Sequence, residues 1–133
     1  MSQYPGQCLC GECQYTVEGA KPSAMFFCHC SRCRKETGSV HGSTVFFNQA
    51  KLLWNKGQNH ISHFHLEGTR KHRSFCKTCG CPLPWVAEDG TIVLPAGSLD
   101  SDTFLEPTAH IHCASSASWE DKLIDLKRFE ALP

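Results

Sequence analysis

Phe75-Cys76-Lys77-Thr78-Cys79-Gly80 puts two sulfurs on one side of a tight loop, with Gly80 free to take φ > 0 and the amides after Cys76 able to point at its thiolate. Working outward, Cys81 follows at once, and a tighter pair, Cys8-Leu9-Cys10-Gly11, stands near the other end of the chain. The ten cysteines fall into Cys8/Cys10/Cys13, Cys28/Cys30/Cys33 and Cys76/Cys79/Cys81, with Cys113 alone. Sulfurs one residue apart rarely have the Cα and Cβ geometry of a disulfide. Such clusters therefore point to metal, and the N-terminus from Met1 to Gln7, with no charged n-region or apolar h-region, agrees with a reducing, cytoplasmic setting.

Two cysteine pairs from distant parts of a chain are the usual way to complete a tetrahedral thiolate site. Joining Cys8 and Cys10 to Cys76 and Cys79 closes a loop of 66 positions and leaves no coordination position vacant. Zinc held this way supplies on the order of 10 kcal/mol, comparable to the whole stability of a small domain. Cys28, Cys30 and Cys33 remain as a local trio, and three protein ligands with an open fourth position is the arrangement of a catalytic zinc. Two other readings stay open on spacing alone. The clustered cysteines could form one multimetal thiolate cluster, or the trio could be closed by Cys13, Cys81 or a histidine and be structural. Taken singly, Cys13, Cys81 and Cys113 read as small buried hydrophobes.

At 133 residues with 41% apolar content the chain suits one domain, residues 1–133, with its own core. Thirteen basic residues balance thirteen acidic ones, so no global field draws it to nucleic acid or an anionic membrane, and no apolar run is long enough to span a bilayer. Strands are expected at Cys13–Glu18, Ala24–Cys28, Val40–Phe47, His60–Leu66, Pro82–Ala87 and Thr91–Pro95, the last two joined through Asp89-Gly90. Ser31 to Thr37 reads as a helical turn before Gly38, Trp54 to Gln58 as a loop, and Trp119 to Leu132 as helix-like, with Leu123, Leu126 and Phe129 at spacings of three. The class is mainly β. His63 and His65, and His110 and His112, read as surface or packing residues; His29, between two proposed ligands, is a candidate to hydrogen-bond a thiolate.

The motifs Gly6-Gln7-Cys8-Leu9-Cys10-Gly11, Cys28-His29-Cys30-Ser31-Arg32-Cys33-Arg34-Lys35-Glu36-Thr37-Gly38 and Phe75-Cys76-Lys77-Thr78-Cys79-Gly80-Cys81-Pro82-Leu83 occur in that order. With Ala96-Gly97-Ser98-Leu99-Asp100, His110-Ile111 and Trp119 after them, they resemble the glutathione-dependent formaldehyde-activating enzyme family, whose domain is shared with a vertebrate centromere protein. The resemblance implies a tent of small antiparallel β-sheets similar to the Mss4-like fold. It also implies a structural zinc on Cys8, Cys10, Cys76 and Cys79 and a catalytic zinc on Cys28, Cys30 and Cys33. Cys13 stands where the family commonly has an aliphatic residue, and Cys81 where Thr or Ser is usual.

The chemistry expected from this is carbon–sulfur lyase type: two Zn2+ ions per chain, a thiol co-substrate such as glutathione, and a small aldehyde such as formaldehyde. Zinc on three thiolates is a weak Lewis acid that accepts a soft sulfur readily. Arg32, Arg34 and Lys35 could offset the charge of the trio and attract carboxylates. Rival readings are a glutathione carrier without catalysis, and a zinc-ribbon-like module using Arg32/Arg34/Lys35 with Arg70/Lys71/His72/Arg73 to bind nucleic acid or an acidic protein. Exposed edges of a small β domain make a homodimer plausible.

Overall fold

A computed structural model describes residues 2–133. In chain order the strands are β1 (Ser2–Gln7), β2 (Gln14–Gly19) and β3 (Ala24–Cys28), then helix α1 (Ser31–Thr37), β4 (Gly42–Phe47), β5 (Ala50–Lys56) and β6 (Ile61–His65). They continue with β7 (His72–Cys76), β8 (Pro82–Leu83), β9 (Trp85–Val86), β10 (Ile92–Pro95) and β11 (Ala109–Ile111). These build three sheets, ordered β1-β2-β5, β11-β3-β4-β10-β9 and β6-β7-β8. The fold is mainly β, as its sequence pattern suggests, and every pairing is antiparallel except β11 with β3.

Period-two alternation explains the layering. On one face of the five-stranded sheet Met25, Val45, Phe47, Ile92 and Leu94 are buried, and Tyr4, Tyr15 and Val17 of the first sheet meet them across the core. Tyr4 packs its ring 5.3 Å from Phe47 and 4.5 Å from Phe104. Truncating a fully buried aromatic such as Phe47 to alanine costs about 3–5 kcal/mol. The opposite face of the same sheet looks into a cleft closed on its other side by β7 and β8.

Three sequence expectations change. Trp54 lies inside β5 instead of opening a loop: Leu52 and Trp54 pack inward while Lys51, Leu53 and Asn55 face solvent, a strand alternation that the three-residue turn Gln58–His60 then ends. Helix does not form over Trp119–Leu132, where a single 3-10 turn, Glu120–Lys122, is the one helical piece. Leu123, Leu126 and Phe129 remain exposed, and a short helix without a surface to bury its apolar face is not stable. Ser2–Gln7, containing Pro5 and Gly6, is a strand nonetheless, because it is an edge strand, where a missing N–H is tolerated. Gly6 is required there, since a Cβ would come within 2.3 Å of the Tyr15 hydroxyl and 2.5 Å of the Ser98 carbonyl oxygen.

Candidate metal centres

The loops at Cys8 and Cys76 are related turns that share their closing hydrogen bond, with one residue fewer between the cysteines of the first. Cys8 N–H donates to the Cys13 carbonyl at 3.0 Å and Gly11 N–H to the Cys8 carbonyl at 3.2 Å. In the other turn Cys76 N–H donates to the Cys81 carbonyl at 3.1 Å and Gly80 N–H to the Cys76 carbonyl at 2.8 Å. Gly11 (φ 79°) and Gly80 (φ 71°) take the left-handed conformation that closes each turn. Amides point toward the first sulfur of each turn, Cys13 N–H to Cys8 Sγ at 3.3 Å and Thr78 N–H to Cys76 Sγ at 3.4 Å. Cys13 and Cys81 thus both sit five residues after a first cysteine, where their carbonyls complete the turn. That shared offset was a signal in the sequence.

Facing each other, the two turns bring the sulfurs of Cys8, Cys10, Cys76 and Cys79 within 4.8 Å of one another. Cys8 Sγ is 3.7 Å from Cys10 Sγ, and Cys10 Sγ 3.8 Å from Cys76 Sγ. A tetrahedron with metal–sulfur bonds of about 2.3 Å has sulfur–sulfur edges of about 3.8 Å, so the donor set fits zinc. With protons in place of a metal the thiols diverge. The Cys10 N–H and its neighbours push Cys79 down to about 6, while Cys10, given the Glu12 N–H but desolvated and crowded by sulfur, is raised to about 12. A divalent ion removes this conflict by binding all four as thiolates.

The trio is local. Cys28 ends β3, Cys30 caps α1 with its sulfur accepting the Cys33 N–H at 3.4 Å, and Cys33 is buried one turn later. Their sulfurs also lie within 4.8 Å of one another, and among the described residues no fourth cysteine, histidine or carboxylate joins them. Burial acts to raise Cys30, but the Cys33 N–H and the neighbouring sulfur outweigh it and bring the thiol below its ordinary value. Cys33 is pushed up to about 12 by desolvation and by the Cys28 sulfur, with Lys71 pulling against them.

Lys71, which the sequence suggests only as part of a basic surface, belongs with the trio. Its ammonium donates to Cys33 Sγ at 3.4 Å and pairs with Glu36 on α1. Arg73 donates to the Glu36 carbonyl at 2.9 Å, so two of the four residues in the 70–73 basic stretch bind α1. Their i, i+2 spacing at the start of β7 was the available signal. Arg32 and Lys35 are exposed, and Arg34 reaches the His29 carbonyl at 3.4 Å.

His29 does not bond a thiolate. It is buried with Nε2 2.8 Å from His110 Nδ1, and Glu120 Oε2 lies 3.2 Å from its Nδ1 at an angle that leaves this nitrogen without a hydrogen bond. The backbone alternation that points Cys28 and Cys30 one way turns this ring the other. His110 therefore contacts His29, while His112 leaves the strand with φ 55°. His63 and His65 pack beside His72, the rings of His65 and His72 stacked at 4.1 Å. Cys13 is fully buried and Cys81 half-buried against the core, but Cys113 is exposed, because the short turn that carries it packs on nothing.

Cys28 and Cys33 form part of the wall of the cleft, a volume of about 760 Å³ between the five-stranded sheet and β7. None of the helices among the described residues is long and apolar enough to cross a membrane.

In overall shape the chain is similar to the crystal structure of a Rhodobacter sphaeroides protein, with a TM-score of 0.57 and 18% identity over 80% of this chain and 98% of that one. At this identity the likeness shows the fold alone. Residues 3–115 match the model of the family described as glutathione-dependent formaldehyde-activating enzyme, most of the chain and all three cysteine groups. The chain belongs to the glutathione-dependent formaldehyde-activating enzyme family.

Proposed function

We propose that the protein is a zinc-dependent carbon–sulfur lyase-type enzyme that joins a glutathione-like thiol to a small aldehyde such as formaldehyde, or cleaves the resulting adduct. The observation that carries this reading is the asymmetry of donor sets. Four sulfurs can enclose one ion, whereas Cys28, Cys30 and Cys33 offer three donors beside an open cleft. Cys8, Cys10, Cys76 and Cys79 would hold a structural zinc, and the trio the reactive one. A zinc ion on three thiolates supplies a soft position that favours the thiolate form of an incoming thiol.

The residues of the chain then divide the remaining work. Lys71, hydrogen-bonded to Cys33, offsets the negative charge that three thiolates leave on a divalent ion, and its pairing with Glu36 fixes where that charge sits. The cleft holds thiol and carbonyl together, which turns a bimolecular encounter into an oriented one. The substrate sulfur adds to the carbonyl carbon, the C=O pair moves to oxygen, and that oxygen takes a proton; cleavage is the reverse. We place this chemistry in the cytoplasm, in a single domain spanning 1–133.

The test is the rate of S-hydroxymethylglutathione formation from glutathione and formaldehyde with the uncatalysed addition subtracted. The zinc-loaded protein is expected to accelerate the reaction, and a Cys28→Ser/Cys30→Ser/Cys33→Ser variant to lose the acceleration while staying folded. Glutathione binding by calorimetry with no acceleration would make the protein a carrier and sink the catalytic reading.

A further inference from the structure

Formaldehyde has a single carbon and needs no apolar wall, yet the cleft has one. An antiparallel sheet with one face in the core ordinarily turns polar residues to the other. Here the second face presents Phe26, Phe46, Val93 and Trp85, each only half-buried. Strand register joins them into a track that starts at the trio. Cys28 lies opposite Gly42, Phe26 opposite Thr44 and Ala24 opposite Phe46; Phe46 then faces Val93, and Val93 faces Trp85. Four residue steps along β3 separate Cys28 from Ala24, in the row of Phe46, about 13 Å of strand. Phe26 and Phe46 meet edge to face at 5.9 Å, and both line the cleft.

The opposite wall has the other character. Arg70 and Lys71 border the same cleft with Glu36, and since Lys71 is held by Glu36 and Cys33, Arg70 is the cation that faces a ligand lying there, with hydrocarbon on the other side and sulfur donors at one end. Contiguous exposed apolar surface of this kind marks a binding groove.

We propose that the cleft takes thiol adducts of apolar aldehydes: hemithioacetals with the sulfur at the trio, an anionic head toward Arg70, and an alkyl or aryl arm along Phe26, Phe46, Val93 and Trp85. This rests on the reading of the trio as a thiol site. The reaction balances without an oxidant. The thiol sulfur forms a bond to the aldehyde carbon, the carbonyl π pair moves to oxygen, and the proton lost by the thiol ends on that oxygen.

Calorimetry on the zinc-loaded protein with glutathione and with S-methyl-, S-butyl- and S-hexylglutathione tests it. Affinity is expected to climb about two- to fourfold per added methylene. Phe46→Ser should flatten the climb, and Val93→Thr, which keeps the β-branched shape, guards against a variant that fails to fold. A flat series with glutathione still bound overturns the apolar track and leaves the thiol-site reading standing. If glutathione and its S-alkyl series do not bind, adducts of 2-mercaptoethanol decide. Tighter binding of the hexanal adduct than of the formaldehyde adduct supports the track while removing the glutathione-like thiol, and equal binding overturns the track.

Discussion

The four-sulfur set draws on residues 8–10 and 76–79, two related turns facing each other across 66 positions, whereas the trio comes from the single stretch 28–33 where β3 passes into α1. The same ligand atom serves both. The first set closes on itself and ties distant parts of the chain together; the second lies within one strand-to-helix passage, with Cys30 as the cap of α1, and it borders open space. On the proposed assignment, coordination number and chain separation, not ligand chemistry, divide a staple from a reactive centre.

The strongest way to break this comparison is to remove one sulfur from each set. Cys76→Ser should abolish the folded state, since zinc in a four-thiolate site contributes on the order of 10 kcal/mol, as much as a small domain has in total. Circular dichroism melts and zinc content would show it, and a cooperative melt near that of the wild type would refute the staple. Cys30→Ser should instead lower zinc from two per chain to one, abolish the accelerated reaction, and keep a cooperative melt.

A finer probe is Lys71→Met. Without the ammonium the Cys33 thiol loses the charge that pulls its pKa down, so protons compete better for the trio. Cobalt titration should show roughly tenfold weaker binding to the trio at pH 7 and at pH 9 alike, because a thiol held at about 12 is protonated at both, with the four-sulfur set unmoved. Unchanged binding at both pH values would assign Lys71 a packing role only. Smallest of all, deleting residues 123–133 should change stability by no more than about 0.5 kcal/mol, because every residue removed is exposed. A shift in trio metal affinity on that deletion would mean that the reactive centre depends on distant chain as well.

Both turns were legible because their information is local: Cys76, Cys79 and Gly80 encode a geometry within five residues. β3 and α1 were legible for the same reason, with Gly38 at φ 66° closing the helix as its position suggests. What escaped depends on partners far along the chain. β7 reads as a basic stretch until β6 and β8 flank it, and only then do Ser74 and Cys76 turn inward and Arg73 meet α1. The three residues of β11 carry no pattern of their own and are strand because β3 offers its edge. Leu123, Leu126 and Phe129 have helical spacing but no surface to cover, so periodicity alone misled.

The 66-position closure also sets an order of events during translation. Cys28, Cys30 and Cys33 leave the ribosome together and can capture an ion while the second turn of the staple is still unmade. Cys8 and Cys10 must wait, as two unpaired thiols, until Cys79 has emerged. On the proposed assignment the set with fewer sulfurs is therefore the first able to fill, and the nascent chain would pass through a stage in which its reactive centre is assembled before its fastening.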